Sequence, residues 1–255
     1  MVGRREQRST GQGSGKSSSQ PAPGLVVLGC EPGCGKTVVG AGLTAVLKEE
    51  GFQARAIKPI LIGDRRLSQA ELQFLSSVTH TPLNYSPSFL DNAGSLSKLG
   101  WTEALGTCRA GTAITLVELP GSCATPLAGV QGRWTDSADF AAELKWPCLV
   151  AARAGQDAME KLLLNTVYLQ SRNLQVIALV AVETGADFSP SERRAGWEIP
   201  EIALQERTGA PFIGCLKHSP SISVPRVSQG NVIKTTSACL DLLPVIKALN
   251  LRISV

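Results

Sequence analysis

The sequence predicts an α/β fold, a doubly wound and mainly parallel sheet with helices on both faces. Three observations predict it. Short apolar runs without polar alternation recur along the chain, as strands buried on both faces do. Segments with helical periodicity fall between them. The first run leads through a glycine-rich turn into a helix, and a second run follows within about 40 residues, the length of a βαβ unit.

The elements follow in order. Residues 1–23 are rich in Gly, Ser, Gln, Arg and Pro and offer almost nothing to bury, so they read as a disordered extension. They lack the apolar stretch of a secretory signal. Their Arg and Ser content leaves an organelle transit peptide as the alternative. Gly15-Lys16-Ser17 imitates the end of a phosphate-binding motif, but no strand precedes it. Leu25–Leu28 is the first strand. Val38–Glu50 carries a helical stripe of Val39, Leu43, Val46 and Leu47, with Gly51 as its stop. Gln53–Leu61 is the second strand. Ala113–Val117, Cys148–Ala152, Val176–Val182 and Phe212–Leu216 are further strands. Helical patterns cover Ala138–Lys145, Ala158–Gln170, Glu201–Thr208 and Ala238–Leu249. The segment 63–111 is less regular and reads as an insertion over the sheet edge. No second domain boundary is visible, so 24–255 is predicted to form one domain.

Composition narrows the function. The chain has 255 residues, 43% of them hydrophobic and 18% charged, enough for a sizeable core. No apolar run approaches the length of a membrane span. Aromatic residues make up 5%, which argues against a base-stacking RNA or single-strand binder. The net charge is +4, and Arg4, Arg5, Arg8 and Lys16 supply most of it against Glu6 alone. The folded body is close to neutral, so a nucleic-acid partner is not expected. Seven scattered cysteines without a CxxC pair argue against a zinc site and for reduced thiols in a cytoplasmic setting.

The sharpest motif is Gly29-Cys30-Glu31-Pro32-Gly33-Cys34-Gly35-Lys36-Thr37, a G-x5-G-K-T loop between the first strand and the first helix. A helix N-terminus offers unpaired N–H groups and the positive end of its dipole. Gly33 and Gly35 allow the backbone to fold tightly around phosphate oxygens. Lys36 can reach the β/γ-phosphates, and Thr37 can place its hydroxyl on Mg²⁺. Gly29, Glu31, Gly33, Cys34, Gly35, Lys36, Thr37 and Val38 are therefore the candidate nucleotide-binding set. Lys58-Pro59 closes the second strand on the side where ligands bind. Glu118 closes the third and is a candidate metal ligand with Thr37. Asp64, Glu71 and Asp139 are weaker acidic candidates, more simply read as solvated.

These motifs, in this order, resemble dethiobiotin synthetase, a P-loop NTPase relative, over about Leu25 to Leu216. The resemblance rests on the G-x5-G-K-T loop, on Lys58-Pro59 and on Leu116-Val117-Glu118. Thr125-Pro126-Leu127, Trp146–Val150 with Gly155, and Ala210–Gly214 extend it. It implies ATP and Mg²⁺ as cofactors and a diamino acid, 7,8-diaminopelargonate, and CO₂ as substrates. It also implies ring closure through a phosphorylated carbamate, with Lys36 and Lys58 catalytic, Thr37 and Glu118 on Mg²⁺, and a homodimer. The chain departs from the family at Pro32 in the loop, at Leu61 and Ile62 after the Lys-Pro pair, and at Gln69 in a helix start that usually carries an acid. Glu71 is a possible substitute for that acid. It departs again at Leu119, and at Val182 where an Asn reads adenine.

Two functional readings stay open. One is an ATP-dependent cyclo-ligase of this kind. The other is a catalytically altered relative whose nucleotide state, or scaffold, governs binding to a protein partner. The apolar Leu61, Ile62 and Leu119 favour the second, and Lys58 and Glu118 the first.

Overall fold

A computed structural model describes residues 23–130, 133–185 and 200–252. The predicted extension lies outside the described residues except for Pro23. A six-stranded parallel sheet forms the centre. Its strands are β1 (Gly24–Gly29), β2 (Ala54–Ile57), β5 (Ile114–Glu118), β8 (Cys148–Arg153), β9 (Val176–Val182) and β10 (Phe212–Leu216), in the order β10-β9-β8-β1-β5-β2. The chain builds outward to one side of β1 and then to the other, so a topological switch point lies at the end of β1.

The unbroken apolar runs are explained by a core on each face of the sheet. Val26 and Leu28 of β1 join Val117, Val150 and Leu179 on one face. Leu25 and Val27 join Leu116, Leu149 and Val180 on the other. Because side chains alternate along a strand, most positions in these strands are apolar. Helices α3 (Lys98–Arg109), α4 (Ser137–Leu144), α5 (Ala158–Ser171) and α6 (Glu201–Thr208) contribute to the first core. Helices α1 (Lys36–Glu49) and α8 (Leu243–Ala248) contribute to the second. Helix α2 (Arg65–Thr79) lies on α1, burying Phe74, Leu75 and Val78 against Ala41 and Ala45. Helix α7 (Val232–Cys239) also packs on α1. No described helix is long and apolar enough to cross a membrane.

Three expectations are corrected. The second strand is not continuous over Gln53–Leu61. Pro59 has no N–H to extend the ladder with β5, so β2 stops at Ile57. The chain restarts as β3 (Ile60–Ile62), which pairs in parallel with β4 (Ser88–Leu90) in a small second sheet. The final helix, expected over Ala238–Leu249, covers only Leu243–Ala248, and α7 over Val232–Cys239 was not foreseen. Leu240 is extended, the Asp241 N–H donates to the Ile213 carbonyl at 2.8 Å, and Pro244 opens the next helix. The segment 63–111 holds two regular helices, α2 and α3. A hairpin of β6 (Pro126–Val130) and β7 (Arg133–Asp136) was not foreseen.

Candidate functional site

The loop after β1 turns twice through left-handed backbone, at Gly33 (φ 69°) and Gly35 (φ 92°). A side chain on Gly35 would also come within 2.5 Å of Val182 Cγ1, so the turn needs glycine for conformation and for space. Gly35 is the N-cap of α1, and no side chain caps the helix there. The helix thus starts on the side of the sheet where the parallel strands β1, β5 and β2 finish.

The side chains of the switch point converge. Lys36 is buried, and its ammonium donates to the Gly121 carbonyl at 2.7 Å and the Glu31 carbonyl at 3.3 Å. The Thr37 hydroxyl donates to Glu118 Oε1 at 3.0 Å. Lys58, at the end of β2, donates to Glu118 Oε1 at 2.8 Å and to Thr37 Oγ1 at 3.2 Å. The same ammonium forms an ion pair with Glu71 of α2. Burial disfavours charge on Lys58, yet Glu118 and Glu71 outweigh it and hold its pKa above the ordinary value. The Lys58 backbone N–H donates to the Tyr85 hydroxyl at 2.9 Å. Burial first of all pushes that phenol up to about 12.

Two cavities open on this network. One, of about 210 Å³, is lined by Gly33, Gly35, Lys36, Thr37, Lys58 and Glu118, and is walled by Pro32, Leu61 and Ile62. The other, of about 430 Å³, lies beside Val38, Val182 and Leu216. Gly33, Gly35, Thr37, Leu67 and Glu71 line both. At the far side of the larger cavity, Glu183 accepts from Lys217 Nζ at 3.1 Å and from the His218 N–H at 3.0 Å.

Of the residues singled out in the sequence, Gly33, Gly35, Lys36, Thr37, Lys58 and Glu118 meet around one cavity, and Val38 lines the other. Gly29 and Cys34 form the back of the loop: Cys34 Sγ donates to the Ala151 carbonyl, and the Gly29 carbonyl accepts from the Cys123 N–H. Glu31 faces sideways, paired at 2.7 Å with Lys161 of α5. Leu119, expected at the site, is in the core. Asp139 belongs to the capping box of α4 with Asp136, and Asp64 caps α2 through the Leu67 N–H. Gln69 lies on the outer face of α2, lining a separate groove. Glu71, read from the sequence as a solvated acid or as a substitute for the acid expected at 69, takes the cavity instead. The two-residue step from 69 to 71 turns a helical side chain by more than half a revolution, and that was the signal available. Tyr85 was missed, since nothing in its local sequence ties it to Lys58.

The donor set suits a hard divalent cation. Thr37 and Glu118 are oxygen donors, and the second Glu118 oxygen is buried without a hydrogen-bond partner among the described residues. No family model matches the chain. Over 224 residues it is 28% identical to the ATP-dependent dethiobiotin synthetase BioD of Anaeromyxobacter dehalogenans, covering 82% of this chain and 96% of that protein. It is 28% identical over 206 residues to the protein of the same name from Gloeobacter violaceus, covering 76% and 86%. In fold it is similar to the MinC:MinD cell division protein complex of Aquifex aeolicus, with a TM-score of 0.54 at 13% identity, covering 85% of this chain and 95% of that one. In sequence the chain is thus similar to proteins named ATP-dependent dethiobiotin synthetase, and in fold to the MinC:MinD complex.

Proposed function

We propose that the protein is an ATP-dependent ligase that closes a cyclic urea on a diamino acid of the 7,8-diaminopelargonate type. The observation that carries this reading is the convergence of Lys36, Thr37, Lys58 and Glu118 on one cavity at the switch point. The loop N–H groups and Lys36 bind the phosphates, with the base directed to the larger cavity beside Val38 and Val182. Thr37 and Glu118 hold Mg²⁺, which when bound neutralises charge on the β/γ-phosphates. One substrate amine adds to CO₂ and loses a proton, giving a carbamate. A carbamate oxygen forms a bond to the γ-phosphorus as the bond to ADP breaks. The second amine attacks the carbamate carbon, and phosphate leaves. Lys58 binds the carbamate and the transferring phosphoryl group, where its fixed charge meets negative charge as it develops. By resemblance the working form is a homodimer.

The test is release of phosphate from ATP in the presence of diaminopelargonate, bicarbonate and Mg²⁺. Lys58→Ala is expected to lower turnover by about 10²–10³ while nucleotide still binds. Full turnover in that variant would remove the role given to Lys58. A second reading is a nucleotide-governed partner-binding protein, favoured by the apolar wall of Leu61 and Ile62. ATP binding without any response to the diamino acid would support it.

A further inference from the structure

The Lys58 ammonium and a divalent cation call on the same oxygens. Lys58 Nζ stands 2.8 Å from Glu118 Oε1 and 3.2 Å from Thr37 Oγ1, the two donors given above to the metal. Two positive charges at that spacing repel strongly in a water-poor site. The ammonium needs another anion to move to. The Lys58 and Glu118 side chains are 4% and 6% exposed, so neither has solvent to turn to. Asp64, a further carboxylate on this wall, is engaged in capping α2. Glu71 already forms an ion pair with Lys58, is 25% exposed, and lines both cavities.

We propose that Glu71 is a positioning residue. It draws the Lys58 ammonium away from Thr37 and Glu118, leaves those oxygens to the cation that accompanies the nucleotide, and holds the ammonium where the two cavities meet. The inference rests on the Mg-nucleotide reading above and deepens it. It also separates Glu71 from the metal ligands: its effect on the cation passes through Lys58.

A double-mutant cycle tests this, read by calorimetry of ATP binding to the full chain at a series of Mg²⁺ concentrations. Glu71→Gln, nearly isosteric, leaves Lys58 with Glu118 as its remaining anion. It is expected to raise the Mg²⁺ concentration for half-maximal binding by about tenfold or more. Adding Lys58→Met removes the competitor and is expected to return that concentration to within about threefold of the wild type. Glu71→Asp, which keeps the charge, is expected to fall between the two. An unchanged Mg²⁺ requirement in Glu71→Gln overturns the inference. So does a raised requirement that Lys58→Met fails to relieve, which would make Glu71 a metal ligand itself. A wild-type chain that shows no Mg²⁺-dependent ATP binding fails at the earlier step and overturns the nucleotide reading instead. Thermal unfolding of each variant separates these outcomes from loss of the fold.

Discussion

The two sides of the candidate site are built differently. The side formed by the ends of β1, β2 and β5 is a closed polar network in which Lys36, Thr37, Lys58 and Glu118 each find partners within hydrogen-bonding distance. The facing side, from β3, α2 and the end of β9, presents Leu61, Ile62, Leu67 and Val182. The contrast teaches where the sequence is constrained by chemistry. A buried lysine and a buried glutamate persist together because each leaves an uncompensated charge if the other is lost. An apolar wall can be exchanged for another of similar volume with little effect on folding.

The largest effect that would break this contrast is expected at Glu118. Glu118→Ala removes the anion shared by Thr37 and Lys58 and should cost about 3 kcal/mol of stability in chemical denaturation. A variant as stable as the wild type would show that the network is not held together as described. Lys36→Ala comes next. It should weaken ATP binding by at least about 100-fold, since a charge-assisted contact to phosphate contributes roughly 1.5–3 kcal/mol and the loop around it also loosens. Gly35→Ala forces a side chain onto left-handed backbone and against Val182, so about 1–3 kcal/mol of stability should go. Trimming the neighbour with Val182→Ala should recover part of that loss, as thermal unfolding would show.

Alkaline pH gives a graded test of burial. Lys58 has its pKa raised by its carboxylates against the effect of burial, and burial pushes Tyr85, Cys108, Cys148 and Cys215 up to about 12. Each group has a folded pKa above its unfolded value. Its contribution to stability is therefore full below the unfolded pKa and lost as pH rises through the folded one. The cysteines act from about pH 8.5, and Lys58 and Tyr85 from about pH 10. The urea midpoint should thus fall steadily between pH 8 and 11, and a flat profile would contradict the burial of these groups. The smallest effect is on the apolar side. Val182→Asn offers an amide to the larger cavity and should favour ATP over CTP by about 1 kcal/mol, or about fivefold, in competition binding.

Most of the central sheet was legible because strands buried on both faces are apolar at most positions. Val176–Val182 matches β9 at both ends for this reason. The signal failed where a single residue overrides a run. Pro59 splits one apolar stretch into strands of two different sheets, and the extended Leu240 cuts the start from the helical stripe expected over Ala238–Leu249. At the site, Lys36, Thr37, Lys58 and Glu118 were legible because each sits at a strand end or in the loop, where parallel topology fixes the side of the sheet. Tyr85 was not, and Glu71 was legible only as a possible substitute for the acid expected at 69. Their places depend on how α2 and the segment before β4 fold back over β2, which is set largely by tertiary packing of Phe74, Leu75 and Val78 on α1.

Calorimetric titration with ATP in the presence and absence of Mg²⁺, on the wild type and on Lys36→Ala, tests the central claim most directly. Saturable binding that needs Mg²⁺ and disappears with Lys36 is the predicted result. No binding by the wild type, or equal binding by the variant, would contradict it and leave the loop after β1 as a turn without a ligand.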